Sequence, residues 1–460
     1  MASVKSNPEA GAVQFRKMTE TPIPGLIIRL AIPTVLSMLV TNVYNLVDTA
    51  FVGRLGNSAS GAIGIVFGYM AILQSVGFMF GQGGGSIVSR MLGAKDLDSA
   101  GRHASTAVIC SFLSGALLSV LSYFILDPLI VFLGSTETIA PYAKQYIHFI
   151  MFAAPFMTSS FTMNNVLRYE GKAALGMIGL MAGGILNMIG DPIFMFGFDM
   201  GISGAGLSTC ISQIISFMIL LSIFLRRKTS SVLSFSNFVF SLSFIGNIMA
   251  TGFPSLVRQG LGSAATIILN WHVRPYGDEA MAAMSIVSRI SFFMFSVALG
   301  VGQGFQPVSA FNYGAGRYGR VKQAFRFTFL SGEAFIAIAC GVVFLLSGDV
   351  IRLFRDDPEV ILIGTRALRL QCGAMLFLPF AMITEMMYQS TGKKLGAAIL
   401  SALRSGICFI PLIFLMARTR GLYGIEEAQP LSYIMAFFPA VYFAIRHLRS
   451  MPEKDREAGP

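Results

Sequence analysis

Apolar residues run through this chain in long blocks, and polar residues gather in short segments between them. A helix needs about 20 mostly apolar residues to cross a bilayer core. The pattern predicts twelve membrane-spanning helices, over residues 26–52, 60–88, 103–126, 140–165, 173–198 and 202–226, then 246–272, 281–308, 323–347, 361–389, 395–417 and 430–447. The connections are short and rich in Gly, Pro, Asp and Asn, as turn chemistry requires. The longest, about 227–244, sets Val232, Phe235, Phe238 and Phe240 among serines. It reads as an interfacial linker joining two lobes, not as a domain. The first 20 residues or so are polar. They imply no cleavable signal peptide, so the first apolar helix is expected to serve as the insertion signal.

The pattern also repeats. Gly81-Gln82-Gly83 recurs as Gly302-Gln303-Gly304, Gly93-Ala94 as Gly314-Ala315, and Gly171-Lys172 as Gly392-Lys393. The offset is 221 each time (302 − 81, 314 − 93, 392 − 171), and the register extends back to Gly25/Gly246, Pro33/Pro254 and Gly56/Gly277. A gapless repeat of this length is a duplicated unit of six spans. Six is even, so both halves enter the membrane the same way and the repeat axis lies along the membrane normal. The expected fold is therefore an all-α polytopic membrane protein, twelve helices in two six-helix lobes related by a parallel pseudo-twofold repeat. The expected divisions are an N-tail at 1–20, an N-lobe at 21–227, a linker at 228–244, a C-lobe at 245–448 and a C-tail at 449–460. Duplicated bundles place a pathway between their halves, the architecture of an alternating-access transporter.

Composition agrees. Mean hydropathy is +0.68 and only 12% of residues are charged, against about 25% in soluble domains, which excludes a water-soluble fold. The net charge of +11 would suit nucleic acid only if it formed one basic patch, and it does not. The cations recur in loops. With the N-terminus in the cytoplasm, inside loops hold Arg90, Lys95, Arg102, Arg168, Lys172, Arg226, Arg227, Lys228, Arg317, Arg320, Lys322, Lys393 and Lys394. Outside loops hold chiefly Arg54, Lys144, Arg274, Arg352, Arg355, Arg418 and Arg420. The ratio, about three to one with the N-tail, predicts both termini inside. Five cysteines (110, 210, 340, 372 and 408) lie in apolar runs without metal spacing and read as packing residues.

Carboxylates inside spans are costly and mark function. Asp48 follows Thr41, Tyr44 and Asn45 at helical spacing, making one polar stripe on the first span. Asn187 and Asp191 share a face of the fifth span, and Thr209 adds a hydroxyl from the sixth. Together they make an oxygen-rich site suited to a proton, because burial disfavours a charged carboxyl, or to a sodium ion. The alternative places Asp48 and Asp191 at helix ends near water, with Asp191-Pro192 simply ending a turn. The second half does not repeat the site: Leu269, Leu412 and Cys408 stand opposite Asp48, Asp191 and Asn187. Pro33 and Pro254 fall inside the first span of each half, where proline removes a hydrogen bond and kinks a helix. Arg258, Arg289, Glu333, Glu385 and Arg404 are further charges within spans, and a link between Arg258 and Glu385 is one way to pair two of them.

Five stretches carry a family resemblance: IPTVLSMLVTNVYNLVDTAFVGRLG (32–56), FGQGGGSIVSRMLGAKD (80–96), LRYEGK (167–172), ILNMIGDPIFMFGF (185–198) and GISGAGLSTCIS (201–212). With them the chain resembles the multidrug and toxic compound extrusion (MATE) family, most closely its MepA-like bacterial branch, over about residues 22–447. The resemblance implies two six-helix lobes around a central cavity in a bacterial inner membrane. It implies export of lipophilic, often cationic aromatic compounds in exchange for protons or sodium, without a cofactor; the two-lobe chain is itself expected to act as a monomer. It places Asp48, Asn187, Asp191 and Thr209 in the family's N-lobe cation site, the same four residues that would ligate Na⁺. Tyr44, Tyr146 and Asn164 fall where the family has nearby polar residues, and Pro33 matches the proline at which the first helix is proposed to bend. NorM-type members carry acids in the seventh and tenth helices. Here those stretches read LVRQG (256–260) and LPFAMITE (378–385), with Phe380 after the proline. Coupling is therefore expected to rest on the N-lobe.

Two rivals differ in class. A lipid-linked oligosaccharide flippase would share the duplication, but its anionic headgroup should demand cations where the first-half stripe offers acids. An intramembrane enzyme would need a paired His/Asp or Ser/Lys arrangement, and His103, His148, His272 and His447 are scattered. A passive channel is the simplest non-coupled alternative, and counterflow against an imposed gradient separates it from antiport.

Overall fold

The predicted spans appear as helices in the computed structural model, which describes residues 8–452 and residue 455. Residues 1–7 of the expected N-tail and 453, 454 and 456–460 of the expected C-tail lie outside the described residues. The first half contains α1 (Pro8–Glu20), α2 (Ile23–Gly53), α3 (Asn57–Gly93), α4 (Leu97–Phe124), the short α5 (Leu126–Phe132), α6 (Ala140–Tyr169), α7 (Ala173–Pro192) and α8 (Gly201–Leu225). The second contains α9 (Leu242–Val273), α10 (Asp278–Gly314), α11 (Tyr318–Leu345), α12 (Ser347–Phe354), α13 (Pro358–Met375), α14 (Leu378–Ser390), α15 (Lys394–Ala402), α16 (Phe409–Arg420) and α17 (Leu422–Ser450). Among the described residues nine helices are long and apolar enough to cross a membrane, or ten if α13 and α14, bent by 47°, form one span. Helices α6 and α9 supply the other two of the twelve, at 30 and 32 residues.

The repeat shows in the backbone. Gly56 and Gly277 take positive φ of 114° and 94° at the same register position, and so do Lys95 and Gly316 at 62° and 71°. Glycine adopts such conformations without strain, so Lys95 keeps a turn its glycine counterpart holds more easily. The short helices α5 and α12 begin 221 positions apart as well. Both were missed in the sequence pattern, as was α1.

The chain divides into two packed units, but not at the linker. The first unit holds Leu36–Leu256 with the N-terminal segment through Glu20. The second holds Thr21–Val35 and everything from Val257 onward. The chain therefore passes from unit to unit inside α2 and inside α9, each time two residues beyond Pro33 or Pro254. Each lent segment packs backbone to backbone. A Cβ built on Gly83 of α3 would lie 2.8 Å from the nitrogen of Gly252 in α9, within the first unit. A Cβ on Gly304 of α10 would lie 2.8 Å from the Cα of Ala31 in α2, within the second.

In the first unit α6 is the central element, packed on α3, α4, α7 and α8. Its approach to α3 runs along Gly77, Gly81 and Gly85, whose missing side chains leave room for Phe161, Asn165 and Tyr169. Small residues of this kind let membrane helices approach closely. Hydroxyls bridge the contact: Thr162 donates to the Gly77 carbonyl at 3.1 Å and to Ser111 at 2.8 Å, and Thr158 to the Ser111 carbonyl at 2.9 Å. The segment after α8 lies against the same unit. The buried Glu170 carboxylate accepts the backbone N–H of Ser230 at 2.8 Å and of Ser231 at 3.0 Å, with Lys172 at 3.4 Å. Phe235 and Phe240 of that segment are exposed.

Candidate functional site

Four helices of the first unit bring polar side chains together. Helix α2 supplies Asp48 from its otherwise apolar body, α6 supplies Tyr146, α7 Asn187 and Asp191, and α8 Ser208 and Thr209. The meeting depends on α8 having no side chain at Gly206, where a Cβ would fall 2.9 Å from the Tyr146 ring. All six residues are buried, and Asp48 and Asp191 are only 2% and 0% exposed. Asp191 does stand at the end of α7, where Pro192 leads into a π-helical turn over Ile193–Gly197. That end is buried, so the alternative of two carboxylates near water is excluded.

The hydrogen bonds form one directed chain. Asn187 Nδ2 donates to Asp191 Oδ1 at 2.9 Å and to Thr209 Oγ1 at 3.1 Å. Thr209 and Tyr146 hydroxyls stand 3.1 Å apart, and Tyr146 donates to Asp48 Oδ2 at 3.3 Å. With Thr209 donating to Tyr146, every proton in the chain has an acceptor. Ser208 Oγ donates to the Asn187 carbonyl at 3.2 Å and fixes the residue from behind. What remains is one oxygen on each acid, Asp48 Oδ1 and Asp191 Oδ2, without a hydrogen-bond partner among the described residues. Hydrogen bonds through Tyr146, Thr209 and Asn187 link the two carboxyl groups, and no Lys, Arg or His forms an ion pair with either among the described residues. Two buried acids with a free oxygen each and no ion-pair partner among the described residues are the kind of intramembrane group that marks a functional site.

The remaining sequence candidates fall around this centre. Tyr44 packs on α7, 3.1 Å from where a Gly184 Cβ would be. Asn45 is half-buried, and its carbonyl accepts Thr49 at 2.7 Å. Thr41 donates to the Ser37 carbonyl at 2.8 Å. Asn164 does not join: it lies against Gly176, at the other end of α7, and 18 positions along α6 from Tyr146, about 27 Å of helix. Ser208 was not anticipated. Its signal was its place beside Thr209, which an i, i+1 pair on a buried helix does not advertise. In the second unit the expected Arg258–Glu385 link is present at 2.6 Å, with both side chains buried.

Comparisons with known proteins accord with this arrangement. The MatE family model matches residues 33–193 and 254–415, so its two stretches begin at Pro33 and Pro254, in register with the repeat. The multidrug export protein MepA of Staphylococcus saprophyticus is 27% identical, over 86% of this chain and 87% of its own. MepA of Staphylococcus haemolyticus is 25% identical, over 95% and 96%. A solved outward-facing MATE-family multidrug resistance transporter of the MOP superfamily has the same fold, with a TM-score of 0.89 at 23% identity over 96% of this chain and 99% of that one. With the family model matched across most of its length, the chain belongs to the MATE family, whose members are multi-pass membrane transporters, not enzymes, and need no cofactor.

Proposed function

We propose that this chain is a secondary active exporter of lipophilic, often cationic aromatic compounds. On this reading it exchanges them for a cation bound between Asp48 and Asp191. The observation that carries the reading is the pair of buried acids, each with an unused oxygen and neither with a counter-ion. The names of the MepA relatives support drug export. A proton is one candidate, because it would remove the charge of a buried carboxyl. The Thr209 hydroxyl and the Asn187 carboxamide oxygen complete an oxygen set that Na⁺ could also use. Asp48 lies on the same helix as Pro33, fifteen residues on. A cation that neutralises it therefore alters the packing of a helix whose hydrogen-bond ladder is already broken once. The cation count of the loops supports both termini lying inside; on this reading the chain works as a monomer in the bacterial inner membrane.

Ethidium transport in proteoliposomes tests this, with a pH gradient or a sodium gradient imposed separately on wild type and on Asp48→Asn. Uptake driven by the pH gradient alone and lost in the variant supports a proton antiporter. Uptake driven by sodium alone assigns the same site to sodium. Full coupled export by Asp48→Asn would refute the coupling role of Asp48.

A further inference from the structure

The second unit encloses a cavity of about 270 Å³ with the opposite electrostatic character. It lies between the second half of α9, helix α10, a π-helical turn over Leu403–Cys408 and helix α17. Leu269, the counterpart of Asp48, is one of its walls. Two arginines reach it. Arg258 is neutralised by Glu385 at 2.6 Å. Arg404 has no carboxylate partner among the described residues. Its guanidinium lies 4.8 Å from the Phe295 ring and 5.2 Å from the Tyr433 ring, and it donates to the Tyr433 hydroxyl at 3.3 Å. The π-helical turn that carries it is a rare irregularity, found most often at functional sites.

Two of the other polar groups are donors without an acceptor among the described residues. The Tyr433 hydroxyl accepts from Arg404 and also from Gln429 Nε2 at 3.2 Å. Its own proton then has no acceptor among the described residues. Ser291, 7% exposed, lines the cavity with its hydroxyl unpartnered. A guanidinium and two hydroxyls converge on a space that holds no negative charge. Arg404 is half-buried, and a guanidinium partly withdrawn from water without a counter-ion is best met by an anion with at least two acceptor oxygens. The Phe295 and Tyr433 rings, on which the guanidinium lies, add aromatic surface to the cavity wall.

We propose that this cavity is a subsite for aromatic carboxylates, in which Arg404 and the Tyr433 and Ser291 hydroxyls hold the carboxylate and the Phe295 and Tyr433 rings flank the aromatic part. The proposal rests on the transport reading only for its purpose, since it extends the exported compounds to those carrying an acid group. Binding itself needs no gradient.

The test is equilibrium binding to the full chain in nanodiscs, with 2-naphthoate as probe, its neutral amide 2-naphthamide as control, and chloride as competitor. Wild type should bind naphthoate about tenfold or more tightly than naphthamide, as expected for hydrogen bonds to a charged group. Arg404→Gln should erase that preference while naphthamide affinity stays put, and Ser291→Ala should reduce it about threefold. Arg404→Lys should restore part of it, which separates charge from a folding defect. Equal binding of the two probes by wild type overturns the proposal, as does an unchanged preference in Arg404→Gln. Chloride displacing naphthoate at millimolar concentration while naphthamide binds as tightly would reassign the cavity to an inorganic anion, and so would also overturn it. Ethidium export failing while the naphthoate preference stands sinks the antiport reading alone. A lost preference with ethidium export intact sinks this subsite alone.

Discussion

Removing Glu385 should markedly destabilise the second unit. The pair is close, at 2.6 Å, and its side chains are 9% and 5% exposed. At an effective dielectric of about 20, two unit charges about 4 Å apart attract by about 4 kcal/mol. Glu385→Ala forfeits that and leaves Arg258 buried without a partner, beside the already unpaired Arg404. Breaking a buried pair from one side costs about 3–5 kcal/mol. Coupling measured inside membrane bundles tends to be weaker than in water-soluble cores, which places the expected loss near the bottom of that range, about 3 kcal/mol. The double variant Arg258→Met with Glu385→Met removes both desolvation penalties and should fall within about 1 kcal/mol of wild type, or exceed it. Unfolding by SDS in mixed micelles reads both. Trp271 is the chain's only tryptophan, and it lies on α9 with Arg258, so fluorescence follows the relevant helix while helicity persists. A Glu385→Ala loss below about 1 kcal/mol, or a double variant as unstable as the single one, would refute the argument that this buried pair is held by mutual neutralisation.

Two further outcomes follow from local geometry. Gly83→Ala places a Cβ 2.8 Å from the Gly252 nitrogen and nearer still to the Ile248 carbonyl, neither of which can swing away. It should cost at least about 2 kcal/mol in the same titration, whereas Gly64→Ala on the same helix, with open space around it, should be neutral or slightly stabilising. Asp96 caps α4 between two spans, and the Ser99 hydroxyl and backbone N–H, the latter at 2.9 Å, hold its carboxyl below the usual range. A carboxyl lowered in the folded state stabilises above its unfolded value and loses that contribution as pH falls through the folded one. Asp96→Ala should therefore cost about 1 kcal/mol at pH 7, and the gap to wild type should close as pH falls below the ordinary carboxylate range. A gap that persists there would assign the cost to packing instead of the cap.

The long elements were legible because their physics is local. A membrane span declares itself by length and apolarity, and the polar stripe at Thr41, Tyr44, Asn45 and Asp48 declares its face by helical spacing. Asn187 and Asp191 announced a shared face for the same reason. The meeting of those faces was not local. Tyr146 entered only through family resemblance, because one tyrosine in a span carries no periodic signal. Ser208 was invisible, because its role depends on which side of α8 meets α7. The two-turn helices α5 and α12 fall below the length at which periodicity speaks, and α1 lies in a stretch too polar to read as a span. The crossing of the units was hidden too, since the apolar run of α2 or α9 is continuous across the point where it changes partners.

Those crossings tie the two halves of the argument together. Duplication copied much of the scaffold: the turn glycines Gly56/Gly277 and Gly171/Gly392, the short helices and the lent segments recur at one offset. It did not preserve charge. Asp48 became a leucine in the second half, and that leucine now walls a cavity served by arginines. Outside Glu20 and Thr21, the chain changes unit only within α2 and α9, at Val35–Leu36 and Leu256–Val257. In each the nearest irregularity is a proline two residues earlier. A proline lacks the N–H that would close the ladder there, so bending at that point breaks no further backbone bond. An α-helix interrupted anywhere else along α2 would have to give up a hydrogen bond in an apolar surrounding, where an unmade bond is expensive. The acid site in the first unit and the basic cavity in the second are thus each connected, through one helix with one prepared weak point, to the other unit.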